Sequence, residues 1–219
     1  MKTMCVTGVS RGIGHALVMD IIDDYIVYGI SRRDPDIYHK NFHWIESDVN
    51  DIEKIRKSIP EIDIFIGNAG VGYFGKLDNI SSLQIKEIIE TNLVSNILLS
   101  QAFLLDIRKN SGQYIFIGSQ SGEVPASLGA VYVASKFGLR GFAESLFLDE
   151  KKYGVGVTLI QPGMVHTSFF QNTFFQPADK NCALDPKEVV EYIQKRLQKK
   201  EGVYVVHNIL PQKFGIIKN

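Results

Sequence analysis

Short apolar runs recur along the chain at residues 4–7, 25–30, 42–45, 62–66, 114–117, 155–160 and 203–206. Most are rich in Val, Ile, Phe or Tyr and nearly unbroken by polar residues, as strands buried on both faces must be. The stretches between them carry helical signals. Residues 12–22 open on a glycine-rich turn. Residues 51–58 offer Asp51 as an N-cap and repeat Ile at 52, 55 and 59. Residues 81–108 hold Leu83, Ile85, Ile88, Ile89, Leu93, Ile97 and Leu98 on a helical period, and 130–152 and 185–200 complete the set. Strand and helix in alternation predict an α/β fold, a doubly wound parallel sheet of about seven strands with helices on both faces. Such sheets take ligands beyond the carboxyl ends of their strands, so functional residues are expected just after each run.

With 219 residues and neither repeat nor linker, one domain spanning 1–219 is expected. Lys plus Arg and Asp plus Glu are both 24. A formally neutral chain lacks the long-range field that draws proteins to nucleic acid or anionic lipid, so neither partner is expected. The N-terminal apolar run is broken at once by Thr7 and Gly8, and no stretch of about 18 apolar residues follows, so neither a signal peptide nor a membrane span is expected. Cys5 and Cys182 lie far apart and form neither a metal-ligand cluster nor a disulfide framework. A cytoplasmic, metal-free protein is the expectation.

Thr7-Gly8-Val9-Ser10-Arg11-Gly12-Ile13-Gly14 follows the first run directly and opens the first helix. Gly8 permits a tight turn, Gly12 lets backbone approach a phosphate, and Gly14 lets helix and strand pack closely. The helix N-terminus offers free N–H groups and a positive dipole end to a diphosphate. This is the Rossmann-like arrangement for a dinucleotide; the alternative is a turn whose glycines merely need positive φ. The second run ends at Ile30-Ser31-Arg32-Arg33, where a chain selecting NAD(H) usually carries an acid for the ribose 2′-OH. Here no acid precedes Asp34, and Arg11, Arg32 and Arg33 can converge on a 2′-phosphate, whose two negative charges suit guanidinium forks. The reading is NADP(H), with NAD(H) the alternative.

Tyr132 and Lys136 stand four residues apart in a helical segment, on one face. A free phenol titrates near pH 10, too high for proton transfer at neutrality, and an ammonium alongside favours the phenolate and lowers that value.

In these residues the chain resembles the short-chain dehydrogenase/reductase family in its common single-domain form, over nearly its whole length. The family's TGxxxGxG is Thr7 to Gly14, and its acid after the third strand is Asp48 in Ser47-Asp48-Val49, expected at the adenine. Its NNAG is Gly67-Asn68-Ala69-Gly70, with glycine in place of the first Asn. Its helix Asn is Asn92, its active-site Ser is Ser119, thirteen residues before Tyr132, and its YxxxK is Tyr132 with Lys136. Its PG motif is Pro162-Gly163, followed by Val165 and Thr167, which the resemblance puts at the nicotinamide carboxamide; Thr167 has the alternative of capping a short helix.

The resemblance implies an NADP(H)-dependent oxidoreductase interconverting a ketone or aldehyde and an alcohol. Tyr132 would be the general acid and base, Ser119 the donor to the substrate oxygen (the alternative being a loop cap, with Ser121 the rival), and Lys136 the holder of the nicotinamide ribose. Asn92 would fix a water that relays protons from Lys136 to solvent. A substrate lid is expected around 166–185, where Phe169, Phe170, Phe174 and Phe175 favour a substrate with an apolar or aromatic part, unless those rings pack on the chain's own core or on a second subunit. Tyr73, Phe74, Glu123, Val124 and Pro125 are further pocket candidates, and His166 reads as a hydrogen-bonding lid residue. Helix 130–152 is too apolar for a surface helix, and its Gly138, Gly141 and Ala143 allow close helix approach. The resemblance implies that this helix and the long one before it form subunit contacts of a homodimer or homotetramer, with a monomer the alternative. Two other functions compete. A regulatory NADP(H)-binding protein would not need a placed acid. A sugar-nucleotide epimerase or dehydratase would be expected to carry a larger substrate domain than the fifty or so residues after Thr167.

Overall fold

The computed structural model describes residues 1–170, 183–198 and 204–209. The apolar runs become strands: β1 Lys2–Thr7, β2 Tyr25–Ser31, β3 Phe42–Glu46, β4 Ile64–Gly67, β5 Gln113–Ile117, β6 Gly156–Pro162 and β7 Tyr204–Ile209. All seven pair in parallel in the order β3-β2-β1-β4-β5-β6-β7. Every residue of β4 and β6 is buried, which is why these runs show no polar alternation. The order reverses between β1 and β4. The loops leaving those two strands diverge to opposite faces and open a crevice at their carboxyl ends.

Helices α1 Gly12–Ile21 and α7 Pro186–Leu197 cover one face, where Leu17, Val18, Val189 and Ile193 bury against Val6, Ile66 and Ile115. Helices α2 Ile52–Ser58, α3 Ser82–Ile89, α4 Ser95–Ala102, α5 Leu104–Lys109 and α6 Ala130–Glu150 follow in chain order. On the other face Ile55 of α2, Leu99 of α4, Ile107 of α5 and Leu139 and Ala143 of α6 pack on Phe65, Tyr114 and Phe116. Local chemistry sets the helix starts. Asp51 accepts from the Lys54 N–H, Ser81 and Gln84 form a reciprocal capping box, and Asp185 does the same with Glu188 ahead of Pro186.

The expected helix 81–108 is not continuous. A π-helical turn, Glu90–Val94, separates α3 from α4, and Phe103 (φ −103°, ψ 6°) separates α4 from α5. At the far end of α6, Glu150 is buried and takes two 2.6 Å bonds from Arg108, whose guanidinium stacks over Tyr153. A paired buried carboxylate of this kind fixes α6 against α5.

The ends of the expected lid are clipped together. Val165 bridges Leu184 in parallel, His166 N–H donates to the Leu184 carbonyl at 2.8 Å, and Leu184 N–H donates to the Met164 carbonyl at 2.8 Å. Ser168–Phe170 form a 3₁₀ turn; residues 171–182 of the lid, with Phe174 and Phe175, lie outside the described residues. No helix among the described residues is long and apolar enough to cross a membrane.

Candidate active site

Thr7 closes β1 and ties it to β4. Its Oγ1 accepts from the N–H groups of Asn68 and Ala69, both at 2.9 Å. Asn68 Nδ2 returns bonds to the carbonyls of Thr7 and Gly8 at 2.8 and 3.1 Å. This lattice holds the glycine turn rigidly beside the segment 68–70. Gly8 (φ 75°) and Gly12 (φ 64°) lie in the left-handed region, where a side chain is strained. A Cβ on Gly14 would overlap the Gly8 carbonyl and the Asn68 amide, so Gly14 serves packing under the turn, not the crevice surface. Arg11 precedes α1 in extended backbone and gives it no side-chain cap, and no acid stands in its first turn. The arrangement is a bare backbone cradle at a helix N-terminus, suited to a diphosphate.

The crevice is a cavity of about 580 Å³. Of the residues predicted to bind coenzyme or act in catalysis, all line it except Gly14, Asn92 and Gly163; Gly163 lines a neighbouring cavity instead. At one end stand Arg11, Arg32 and Arg33 with Ser31, whose hydroxyl donates to the Arg33 carbonyl at 2.7 Å and accepts from Trp44 Nε1 at 3.1 Å. Arg32 has anionic partners the sequence reading did not anticipate. Its NH1 lies 3.7 Å from Asp48 and 3.9 Å from Glu87 of α3, and Glu87 accepts from the Tyr73 hydroxyl at 2.7 Å.

At the other end α6 delivers Tyr132 and Lys136 side by side, the Lys136 Nζ 5.8 Å from the Tyr132 ring centroid. Lys136 Nζ donates to the Ile117 carbonyl at 2.9 Å, which ties it to the end of β5. Burial dominates both groups. It pushes the Tyr132 phenol up to about 12, against the pull of a hydrogen bond with Ser119, and the Lys136 ammonium down to about 8. The expected acidification of the phenol by Lys136 is not seen in this structure: burial raises the phenol, and the contribution that lowers it is the Ser119 hydrogen bond. Ser119 Oγ also accepts from the Ser121 N–H at 3.1 Å, which sets the 3₁₀ turn Gln120–Gly122 after β5.

Asn92 sits in the π turn and is fully buried. Its Oδ1 accepts from the Val71 N–H at 2.8 Å, and its Nδ2 donates to the Val71 carbonyl and to Ser135 Oγ. The side chain is thus occupied in fastening the segment after β4 to α6. Its own carbonyl accepts from Asn96 Nδ2 at 3.0 Å. The glycine at 67 has a local reason as well. A Cβ there would collide with the Asn96 carboxamide, which fills the space beside β4.

A second cavity of about 180 Å³ adjoins the first. Ser119 and Tyr132 line both. The rest of its wall includes Phe74, Ala126, Val133 and Met164, and none of the described residues that line it carries a charge. Tyr132 is flanked by Phe74 (ring centroids 5.2 Å apart) and Phe169 (5.9 Å). Of the further pocket candidates only Phe74 lines either cavity. Tyr73 is turned to Glu87, Glu123 lies beside Arg140 and Gln161, and Val124 is exposed. Thr167 lines the crevice and also caps, since its Oγ1 accepts from the Phe169 N–H at 3.3 Å.

The family model for short chain dehydrogenases matches residues 2–177. The chain belongs to that family. Among curated short chain dehydrogenase relatives, human 17-beta-hydroxysteroid dehydrogenase type 1 is 30% identical over 199 residues, which are 80% of this chain and 60% of that protein. The chain thus spans about three fifths of that relative's length. The 3-oxoacyl-(acyl-carrier-protein) reductase of Escherichia coli is 32% identical over 181 residues, 76% of this chain and 74% of the reductase. Among solved structures, the closed form of a serine dehydrogenase complexed with NADP+ superposes with a TM-score of 0.89, at 26% identity over 99% of this chain and 98% of that one.

Proposed function

We propose that this short chain dehydrogenase is a single-domain, NADP(H)-dependent enzyme that interconverts a ketone or aldehyde and the corresponding alcohol. The observation that carries the reading is that Ser119 and Tyr132 stand on the wall shared by a crevice of about 580 Å³ and a smaller cavity whose described lining residues carry no charge. The serine dehydrogenase neighbour's complex with NADP+ supports the choice of coenzyme.

The residues present suit such a coenzyme. The glycine turn and the N-terminus of α1 would hold the diphosphate, Arg11, Arg32 and Arg33 the 2′-phosphate, and Asp48 and Val49 the adenine. Asn68, Ala69 and Gly70 would form the floor, Lys136 would hold the ribose, and Pro162, Val165 and Thr167 would face the nicotinamide. When bound, the coenzyme supplies or accepts the hydride. Tyr132 exchanges the proton at the substrate oxygen. Its buried phenol is protonated at neutral pH, the form that reduction needs. Ser119 donates to the same oxygen as negative charge develops there. Lys136, charged below about pH 8, favours the phenolate when the proton leaves. Asn92 acts as a positioning residue that holds the segment after β4 against α6.

The small cavity favours a substrate with an apolar or aromatic part and no charge near the carbonyl. The test is NADPH absorbance followed across a carbonyl panel. Uncharged apolar or aromatic ketones and aldehydes are expected to be reduced. Reduction confined to highly charged carbonyls, or none at all, overturns the reading.

A further inference from the structure

We propose that Glu87 is a specificity-determining residue that holds down the preference of this chain for a 2′-phosphorylated coenzyme, by competing for Arg32 from a position fixed by Tyr73. The inference rests on the reading of Arg32 as a 2′-phosphate ligand and goes beyond it.

Arg32 is the arginine that points between β2 and α3, with 65% of its side chain exposed. It does not face the crevice as a free cation. One of its nitrogens lies between two carboxylates, at 3.7 Å from Asp48 and 3.9 Å from Glu87. Glu87 itself does not line the crevice, yet it is not a loose surface acid. Its two oxygens are divided, Oε1 toward Arg32 and Oε2 accepting from the Tyr73 hydroxyl at 2.7 Å. Tyr73 lies two residues beyond Val71, whose N–H and carbonyl are both fastened by Asn92. The carboxylate is therefore held near Arg32 by a chain of contacts anchored in the buried π turn.

The physics of the competition is direct. Separations of 3.7 and 3.9 Å are ion-pair contacts without short charge-assisted hydrogen bonds, so Arg32 is weakly held and can swing to a phosphate. A phosphate gripped by Arg32 then sits within a Debye length of the Glu87 charge, and the two anions repel. A coenzyme with a bare 2′-OH meets no such repulsion. Removing the Glu87 charge should thus favour the phosphorylated coenzyme and leave the other almost untouched. Asp48 contributes in the same sense, but it also faces the adenine end of the crevice and would alter both coenzymes together.

The experiment measures dissociation constants of NADPH, NADH and adenosine 2′,5′-bisphosphate by titration calorimetry, for wild type, Glu87→Gln, Tyr73→Phe, Arg32→Gln and the Glu87→Gln/Arg32→Gln double variant. Glu87→Gln is expected to tighten NADPH and the bisphosphate by roughly threefold to tenfold, with NADH changed less than about twofold. Tyr73→Phe, which frees Glu87 to turn away, should move the ratio in the same direction by a smaller factor. The gain should vanish in the Arg32→Gln background, which a merely structural effect of Glu87 would not require. If Arg32→Gln weakens NADPH selectively while Glu87→Gln leaves the ratio unchanged or lowers it, the role of Glu87 is wrong and the coenzyme assignment stands. If Arg32→Gln leaves the ratio unchanged, the assignment of Arg32 and the inference built on it both fall.

Discussion

Burial moves Tyr132 and Lys136 in opposite directions, the phenol up to about 12 and the ammonium down to about 8. For Lys136 the native value lies below the ordinary 10.5 of an unfolded chain, so between the two unfolding takes up a proton. Raising the pH through that window therefore stabilises the native state, and below about 8 both states are charged and the contribution is constant. Tyr132 works the other way above pH 10, where the unfolded phenol ionises first. The stability of wild type relative to Lys136→Met is accordingly expected to rise by about 2 kcal/mol between pH 8 and 10 in urea titrations; a pH-independent difference contradicts the buried-amine account. Gly67 poses a second test. Gly67→Asn should cost about 1–3 kcal/mol, because the new side chain meets Asn96, and Asn96→Ala in the same chain should recover much of it. If the pair of changes is merely additive in urea unfolding, the two positions do not share one space. The glycine at 67 is visible in the sequence as a departure from the family's NNAG, but its reason is not, since Asn96 lies on a helix that only the fold brings beside β4.

At the scale of elements, the strands were legible because burial on both faces leaves unbroken apolar runs such as Ile64–Gly67. The break in the long helix was not. Its apolar period continues through Leu93, Ile97 and Leu98, and no Gly or Pro marks positions 90–94. The π turn is imposed by tertiary structure, through Asn92 bonding Val71 and Ser135, and π turns of this kind gather at functional sites. Asn92→Ala would leave the Val71 N–H and carbonyl unpaired. A stability loss of about 2–3 kcal/mol is expected by denaturant unfolding, with weakened coenzyme binding through segment 68–70. A loss below about 0.5 kcal/mol, the size of an ordinary surface change, would show that the turn does not depend on this side chain. The candidate site was legible where chemistry is local, as in the glycine turn and the Tyr132–Lys136 spacing. It was not legible where partners come from separate elements, as with Tyr73, Glu87 and Arg32.

Across the whole molecule, the sheet-facing sides of α4, α5 and α6 are buried, while Leu105 and Leu148 are 75% and 61% exposed and Leu98 and Phe137 are partly so. Gly138 is used within the chain, where a Cβ would meet Leu93, whereas Gly141 faces open space with nothing within 4 Å. Outward apolar residues on these helices support self-association. Light scattering is expected to give at least twice the mass of one chain, and a monomer at micromolar concentration would contradict that expectation. The central claim is a proton held by Tyr132 at the meeting point of two cavities. Its most direct test is Tyr132→Phe, assayed for turnover with a carbonyl that wild type reduces and for NADPH affinity by calorimetry. Turnover is predicted to fall by roughly 10²–10⁴-fold with the NADPH dissociation constant changed by no more than a few fold; turnover equal to that of wild type would contradict the account.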